Sequence, residues 1–261
     1  MTILRHELKQ NRTSFWIWTA VISFMIGVCV FIYPEMKGEM ESISDVFADM
    51  GSFTAAFGMD QISFGTLLGY YAIECGNVLG LGGAFFAALC GAGALAKEEK
   101  DHTAEFLLTH PVSREKVITQ KLIAVLTQVT ILNIIVFVVV GIAMLAIGEN
   151  IPWQEMILLH LAYLLLQIEL AGICFGISAF LRRGSLGVGL GVSIMMYFLN
   201  IISNITESAE FLRYITPFGY ANGTDIVSNV ELDMKLILIG MAYAIVGIVL
   251  AYFKYTKKDI V

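Results

Sequence analysis

Glu169 is the residue whose chemistry most needs explaining. It stands near the middle of the apolar stretch 156–181, about 20 Å from either end at about 1.5 Å of rise per residue. A carboxyl group there is costly in lipid and must face protein or water. Gly172 and Gly176 follow one and two turns later on the same face, so a second helix is expected to press close around it. Two roles fit: a buried acid that hydrogen-bonds its neighbours, or a group used in transport or conformational switching. Ser193, Tyr197, Asn200 and Asn204 form a polar seam along another apolar stretch, because their spacing keeps them on one helical stripe. In lipid such groups must find partners, so the seam faces other helices or an aqueous cavity. A third stretch presents Gly76, Gly80, Gly83, Ala87 and Gly91 at helical spacing. That small-residue face serves either close packing or a dimer or transport surface. Glu74 lies nearly opposite it, toward the outer end where it can be hydrated, and Asn77 follows within a turn. The candidates for a transport path or dimer interface are Glu74, Asn77, Gly80, Gly83, Ser193, Tyr197 and Asn200, with Glu169 as the intramembrane acid.

Other chemistry finds little support. His6, His102, His110 and His160 are scattered without metal spacing, and no nucleophile motif is present. Cys29, Cys75, Cys90 and Cys174 sit in apolar stretches without Cys-x-x-Cys spacing and read as small buried hydrophobes. The phosphate-cradling pattern G-x-x-x-x-G-K-[ST] is missing, and Gly93-Ala94-Leu95-Ala96-Lys97 does not supply it. The chain is therefore expected to bind no nucleotide, cofactor or metal of its own and to be no enzyme.

The elements that must position these groups follow from composition. The 261 residues are 57% hydrophobic and 15% charged, with a mean hydropathy of +0.78. Soluble domains carry about 25% charged residues, which argues against a soluble enzyme. Long aliphatic runs and 17 Phe exclude disorder, and a net charge of −6 gives no basic footprint for nucleic acid. What fits is one all-α polytopic membrane domain over residues 1–261. Six stretches reach the about 20 apolar residues a span needs: 15–33, 69–96, 122–147, 156–181, 185–205 and 236–253. One set of loops and termini carries 13 of the 16 Lys and Arg; the opposite set holds only Lys37, Arg213 and Lys235. Both termini are therefore cytoplasmic.

The first apolar run is long enough to span, and Tyr33-Pro34-Glu35-Met36 offers no signal-peptidase site. Residues before it, with Leu4 and Leu8 one turn apart and Arg5, Lys9 and Arg12 alongside, read either as a short amphipathic helix on the inner interface or as an ordinary basic flank. On the outer side, Pro34–Phe64 has room for a short helix. Thr206–Met234 suits short interfacial or re-entrant helices broken at Pro217.

The cytoplasmic loop 97–121 joins a charged helix extension (Glu98, Glu99) to an apolar patch, Phe106, Leu107 and Leu108, followed by Pro111 and Arg114. An apolar patch on a charged loop invites a protein partner. This loop resembles the first cytoplasmic loop of type-2 ABC exporter permeases, which runs Glu-x-x-Gly-Thr-x-Glu-x-Leu-Leu-Ser-x-Pro-Val-Ser-Arg with a Lys shortly after. Glu98 or Glu99, Thr103, Glu105, Leu107, Leu108, Pro111, Val112, Ser113, Arg114 and Lys121 match, while His102 replaces the usual glycine. Thr216-Pro217-Phe218 and the ending from Phe253 to Ile260 are also similar to the family.

The resemblance implies a transmembrane permease subunit of an ATP-driven exporter, multi-pass in a bacterial cytoplasmic membrane. Two such subunits, identical or homologous, pair among membrane lipids and rest on two copies of a separate ABC ATPase that holds ATP and magnesium. Glu98, Glu99, Thr103, Glu105, Phe106, Leu107, Leu108, Pro111 and Arg114 become the coupling helix, and substrate passes along spans two and five. Antimicrobial peptides, drugs, lipids and ions are the substrate classes. Two other readings need no ATPase. A secondary transporter or channel is disfavoured because inverted repeats and paired broken helices are missing, and a membrane scaffold leaves the coupling-type loop unexplained.

Overall fold

The computed structural model describes residues 2–48, 51, 54, 56, 65–100, 113–181 and 186–257. Among them all regular structure is helical, and six helices are long and apolar enough to cross a membrane. In chain order the elements begin with α1 (Thr2–Gln10) and α2 (Arg12–Ala48). A short α3 (Leu67–Cys75), a π-helical segment (Gly76–Leu81) and α4 (Gly82–Lys100) together make the second span. Then come α5 (Arg114–Ala146), α6 (Trp153–Ser178) and α7 (Leu186–Ile205). Two 3-10 turns, Glu207–Tyr214 and Pro217–Gly219, and α8 (Gly223–Asn229) lead to α9 (Met234–Lys257).

Element boundaries have local causes. Thr66 caps α3 by accepting from the Gly69 N–H at 3.1 Å. Ser113 caps α5 by accepting from the Lys116 N–H at 3.3 Å, with Glu115 in the first turn, where a carboxylate complements the helix dipole. That cap starts α5 two turns before the apolar stretch expected from residue 122, so Lys121 belongs to the helix and not to a loop. The first span also outruns its expectation. Pro34 lacks the N–H that would continue the helix ladder, yet α2 runs through it to Ala48, where a separate short outer helix had room to form. The Tyr33 hydroxyl, just before the proline, donates to the Gly65 carbonyl at 2.7 Å and fixes this part of α2 near the start of α3.

α6 is the axis of the bundle. In its apolar window 61% of residues are buried, and 67% in the span formed by α3, the π segment and α4. α6 packs on α4, α5 and α9, and small residues set the closest approaches. A Cβ added at Gly172 would meet Ala244 of α9 at 2.9 Å, and one at Gly176 would meet the Gly247 backbone at 2.6 Å. Close backbone contact around Glu169 is thus present as its flanking glycines imply. The small-residue stripe of the second span faces α6 of the same chain: Gly76 and Gly80 meet Tyr163, Gly83 meets Gln167, and Gly91 meets the Ala171 carbonyl.

α1 is helical, leaves Arg5 and Lys9 exposed, as is Arg12 at the start of α2, and lies against α5. The Leu4 N–H donates to Gln120 Oε1 at 3.1 Å. Glu7 and Lys121 form a buried ion pair at 2.7 Å, and Lys121 Nζ also donates to the Ala94 carbonyl at 3.0 Å. One ammonium group therefore joins α1, the end of α4 and the start of α5.

Candidate functional site

Polar side chains inside the bundle fall into two groups. The first is consumed by packing. The side-chain amide of Gln167 accepts from Asn133 Nδ2 of α5 at 2.7 Å and donates to the Leu79 carbonyl at 3.2 Å. Leu79 lies in the π segment, and its carbonyl accepts from the Gly82 N–H as well as from Gln167. The Tyr71 hydroxyl and His160 Nε2 lie 2.6 Å apart across α3 and α6. Ser193 Oγ donates to the Ala84 carbonyl of α4 at 3.3 Å and is fully buried, so this member of the seam joins two helices.

Glu169 is fully buried on α6. Its Oε2 accepts from the Tyr220 hydroxyl at 2.9 Å, and its carboxyl group fills the space left by the missing side chain of Gly240 on α9. Tyr220 follows the Pro217–Gly219 turn, which enters from the outer side. Glu169 is sixteen residues along α6 from Trp153, about 24 Å at about 1.5 Å per residue. The segment from Thr216 to Thr224 thus reaches into the bundle, the re-entrant one of the two arrangements, interfacial or re-entrant, that the break at Pro217 suits. Its backbone groups are held internally: Thr216 Oγ1 donates to the Met196 carbonyl of α7 at 2.8 Å and accepts from the Phe218 N–H. Asn222 caps α8 by accepting from the Thr224 N–H at 3.0 Å. Outside the crevice, Arg213 ties the two limbs together through Asp225 at 2.8 Å and the Gly219 carbonyl at 3.2 Å.

The second group opens on a crevice in the outer half, with a free volume of about 60 Å³. Asn77 of the π segment, Tyr163 of α6, Asn200 and Asn204 of α7, and Asn222 and Thr224 of the re-entrant segment line it. The Tyr197 ring forms one wall, packed edge-on against Phe218 with centroids 5.3 Å apart. The structure therefore brings together Asn77, Tyr197 and Asn200 and leaves the other candidates elsewhere. Glu74 faces α2, where Cys29 Sγ donates to its Oε2 at 3.8 Å, and it is half-buried instead of freely hydrated. Gly80 and Gly83 are covered by α6, and Ser193 by α4.

Nothing in the sequence directed Tyr163, Asn222 and Thr224 to this crevice. A tyrosine within an apolar run reads as core until its hydroxyl is located, and a three-dimensional turn brings the other two inward. Of the loop residues, Thr103, Glu105, Phe106, Leu107, Leu108 and Pro111 lie outside the described residues. Glu98 and Glu99 belong to the last turn of α4. Arg114 Nη1 donates to the Thr256 carbonyl near the end of α9 at 3.2 Å.

The sequence signature of the ABC-2 family transporter proteins matches residues 1–260. The chain belongs to the ABC-2 transporter family. It is the membrane component of an ABC transporter, a multi-pass membrane protein of a family that works in association with an ABC ATPase. It is also similar to YhcI, an uncharacterized protein of Bacillus subtilis (strain 168), with 24% identity over an alignment covering 73% of this chain and 68% of that protein.

Proposed function

We propose that residues 1–261 act as one permease domain of an ATP-driven exporter in a bacterial cytoplasmic membrane. In this reading the chain pairs with a second permease subunit, and two copies of a separate ATPase hold ATP and magnesium. The chain moves substrate and hydrolyses nothing. The cytoplasmic loop motif carries the proposal, because hydrolysis on another subunit must reach this chain through a protein contact. Its surroundings suit that role. The stem before the loop is tied through Ala94 to Lys121 and Glu7, and the stem after it is tied through Arg114 to α9. A load applied at the loop thereby reaches α1, α4, α5 and α9 together. Pairing of permeases is supported by α7, whose apolar window is only 17% buried and leaves Met195, Phe198 and Ile202 exposed. The transported molecule belongs to the peptide, drug, lipid or ion classes.

Leu107→Asp tests the coupling. Burial of a leucine contributes about 1.5–3 kcal/mol, and an unpaired buried carboxylate costs several more, while a loss of about 3 kcal/mol weakens binding more than about 100-fold. The variant should insert normally but lose a Walker-motif subunit from gentle affinity purification read by mass spectrometry. Undiminished capture of that subunit together with unchanged transport would remove the coupling assignment. Capture of none by the wild-type chain would favour a transporter that works without an ATPase.

A further inference from the structure

We infer that the outer crevice is a binding subsite for one uncharged hydrogen-bonding group, a carboxamide or hydroxyl, of the transported molecule. The inference rests on the reading that this chain carries a transport path. Three observations lead to it. The Tyr163 hydroxyl is buried and makes no hydrogen bond among the described residues, and Tyr163 is one of the residues that line the crevice. A phenol that needed only packing would be satisfied or replaced by phenylalanine, since an unpaired buried donor is costly. Two glycines keep its surroundings clear: a Cβ at Gly76 or Gly223 would come within 3.0 or 3.2 Å of that oxygen. Finally, the side-chain amides of Asn77 and Asn200 are likewise uncommitted, whereas Asn204 donates to the Ala56 carbonyl and Asn222 is engaged in capping α8. Donors and acceptors from three separate elements therefore converge on one space without pairing with each other.

The chemistry of the wall selects the ligand class. Among the described residues the lining contains no charged side chain, so an ammonium or carboxylate would lose hydration against them without a counter-charge. A neutral amide or hydroxyl can both accept from Tyr163 and exchange hydrogen bonds with the asparagines, each of which offers a carbonyl and an NH₂. The free volume of about 60 Å³ is small beside the about 300–1,000 Å³ of a typical small-molecule pocket. It admits one functional group with its nearest carbons, not a whole substrate. Asn77 is exposed and Asn200 half-buried, so they stand at the mouth while Tyr163 forms the floor.

The test uses the full chain in lipid nanodiscs with 3-fluorotyrosine at position 163 and fluorine NMR as the readout. Butyramide, butylammonium and butyrate are titrated as chain-matched probes. Butyramide should shift the resonance saturably, with the two ions giving at least ten-fold weaker responses. Asn200→Leu and Asn77→Ala should each weaken the butyramide response several-fold while the ligand-free resonance stays sharp. Equal responses to all three probes would mean partition into an apolar gap, and no saturable response would leave the crevice to water alone; either overturns the inference. Unchanged butyramide binding in both asparagine variants would overturn it as well. None of these outcomes depends on the ATPase, so failure here is distinct from failure of the coupling experiment.

Discussion

α6 and α7 are both apolar spans with polar residues along them, yet the two use those residues in opposite ways. On α6, His160, Gln167 and Glu169 are buried and each is bonded to a different neighbouring element. On α7, Ser193 is bonded to α4 near the middle of the bundle, but Tyr197 and Asn200, one and two turns further out, face the crevice. The difference is one of coverage: 61% of the α6 window is buried against 17% of the α7 window. A polar group surrounded by helices mostly finds a partner among them, whereas one on a partly covered span can stay available. Tyr163 departs from this contrast: it lies on α6 and is buried, yet its hydroxyl has no hydrogen bond among the described residues.

The largest effect should come from the α6–α9 contact. Gly176→Leu places a side chain against the Gly247 backbone, and overpacking costs about 1–3 kcal/mol even where side chains can yield. Here backbone must move, so the variant should fail to accumulate as folded protein, read by size-exclusion chromatography in mild detergent. A folded Gly176→Leu protein would mean that α6 is not the tightly held axis. Glu169→Leu comes next, since it strands the Tyr220 hydroxyl in the interior. A loss of about 1–3 kcal/mol is expected, seen as a lowered midpoint in thermal unfolding, and Glu169→Gln should recover most of it by keeping an acceptor. If Gln is as damaging as Leu, the carboxyl group has a role beyond accepting from Tyr220.

Gln167→Leu removes the link between Asn133 and the Leu79 carbonyl. Hydrogen bonds between membrane helices average about 0.6 kcal/mol and reach about 1.7, so a small destabilisation is expected. Faster amide hydrogen exchange confined to the π segment would locate it, and exchange unchanged there would detach Gln167 from that segment. Smallest in stability is Asn200→Leu, which breaks no hydrogen bond of its side chain; a change within about 0.5 kcal/mol is expected, with transport altered. Normal transport would return Asn200 to packing and erase the contrast between the two helices.

The sequence made the spans legible because each is a long apolar run. Glu169, the seam and the glycine stripe were visible as anomalies of type and spacing. What periodicity does not carry is the neighbour. The same three- and four-residue spacing describes Gly80 against Tyr163 and a glycine facing a second subunit, so the stripe's partner emerged only with the packing of α6. The π segment was hidden for a related reason: Gly76–Leu81 has an ordinary apolar composition, and the extra residue in its turn is stabilised by Gln167, almost ninety positions away. Tyr163 and Asn222 could not be paired from the sequence, because a re-entrant turn brings them to one crevice. Proline at 34 illustrates the converse, a strong local breaker signal overridden by the helix on both sides of it.

The ion pair between Glu7 and Lys121 has a consequence for how the chain is made. Its two halves are separated by 114 positions, so at about 5–20 residues per second the amino-terminal helix exists for roughly 6–23 seconds before its anchor has been synthesised. Through that interval Glu7 has no Lys121 to meet, and the exposed Arg5, Lys9 and Arg12 are groups able to hold the helix to an anionic leaflet. Only when the chain has reached the start of the third span can the acid leave water. The beginning of the chain is thus fixed in place late, by a residue that follows two complete spans.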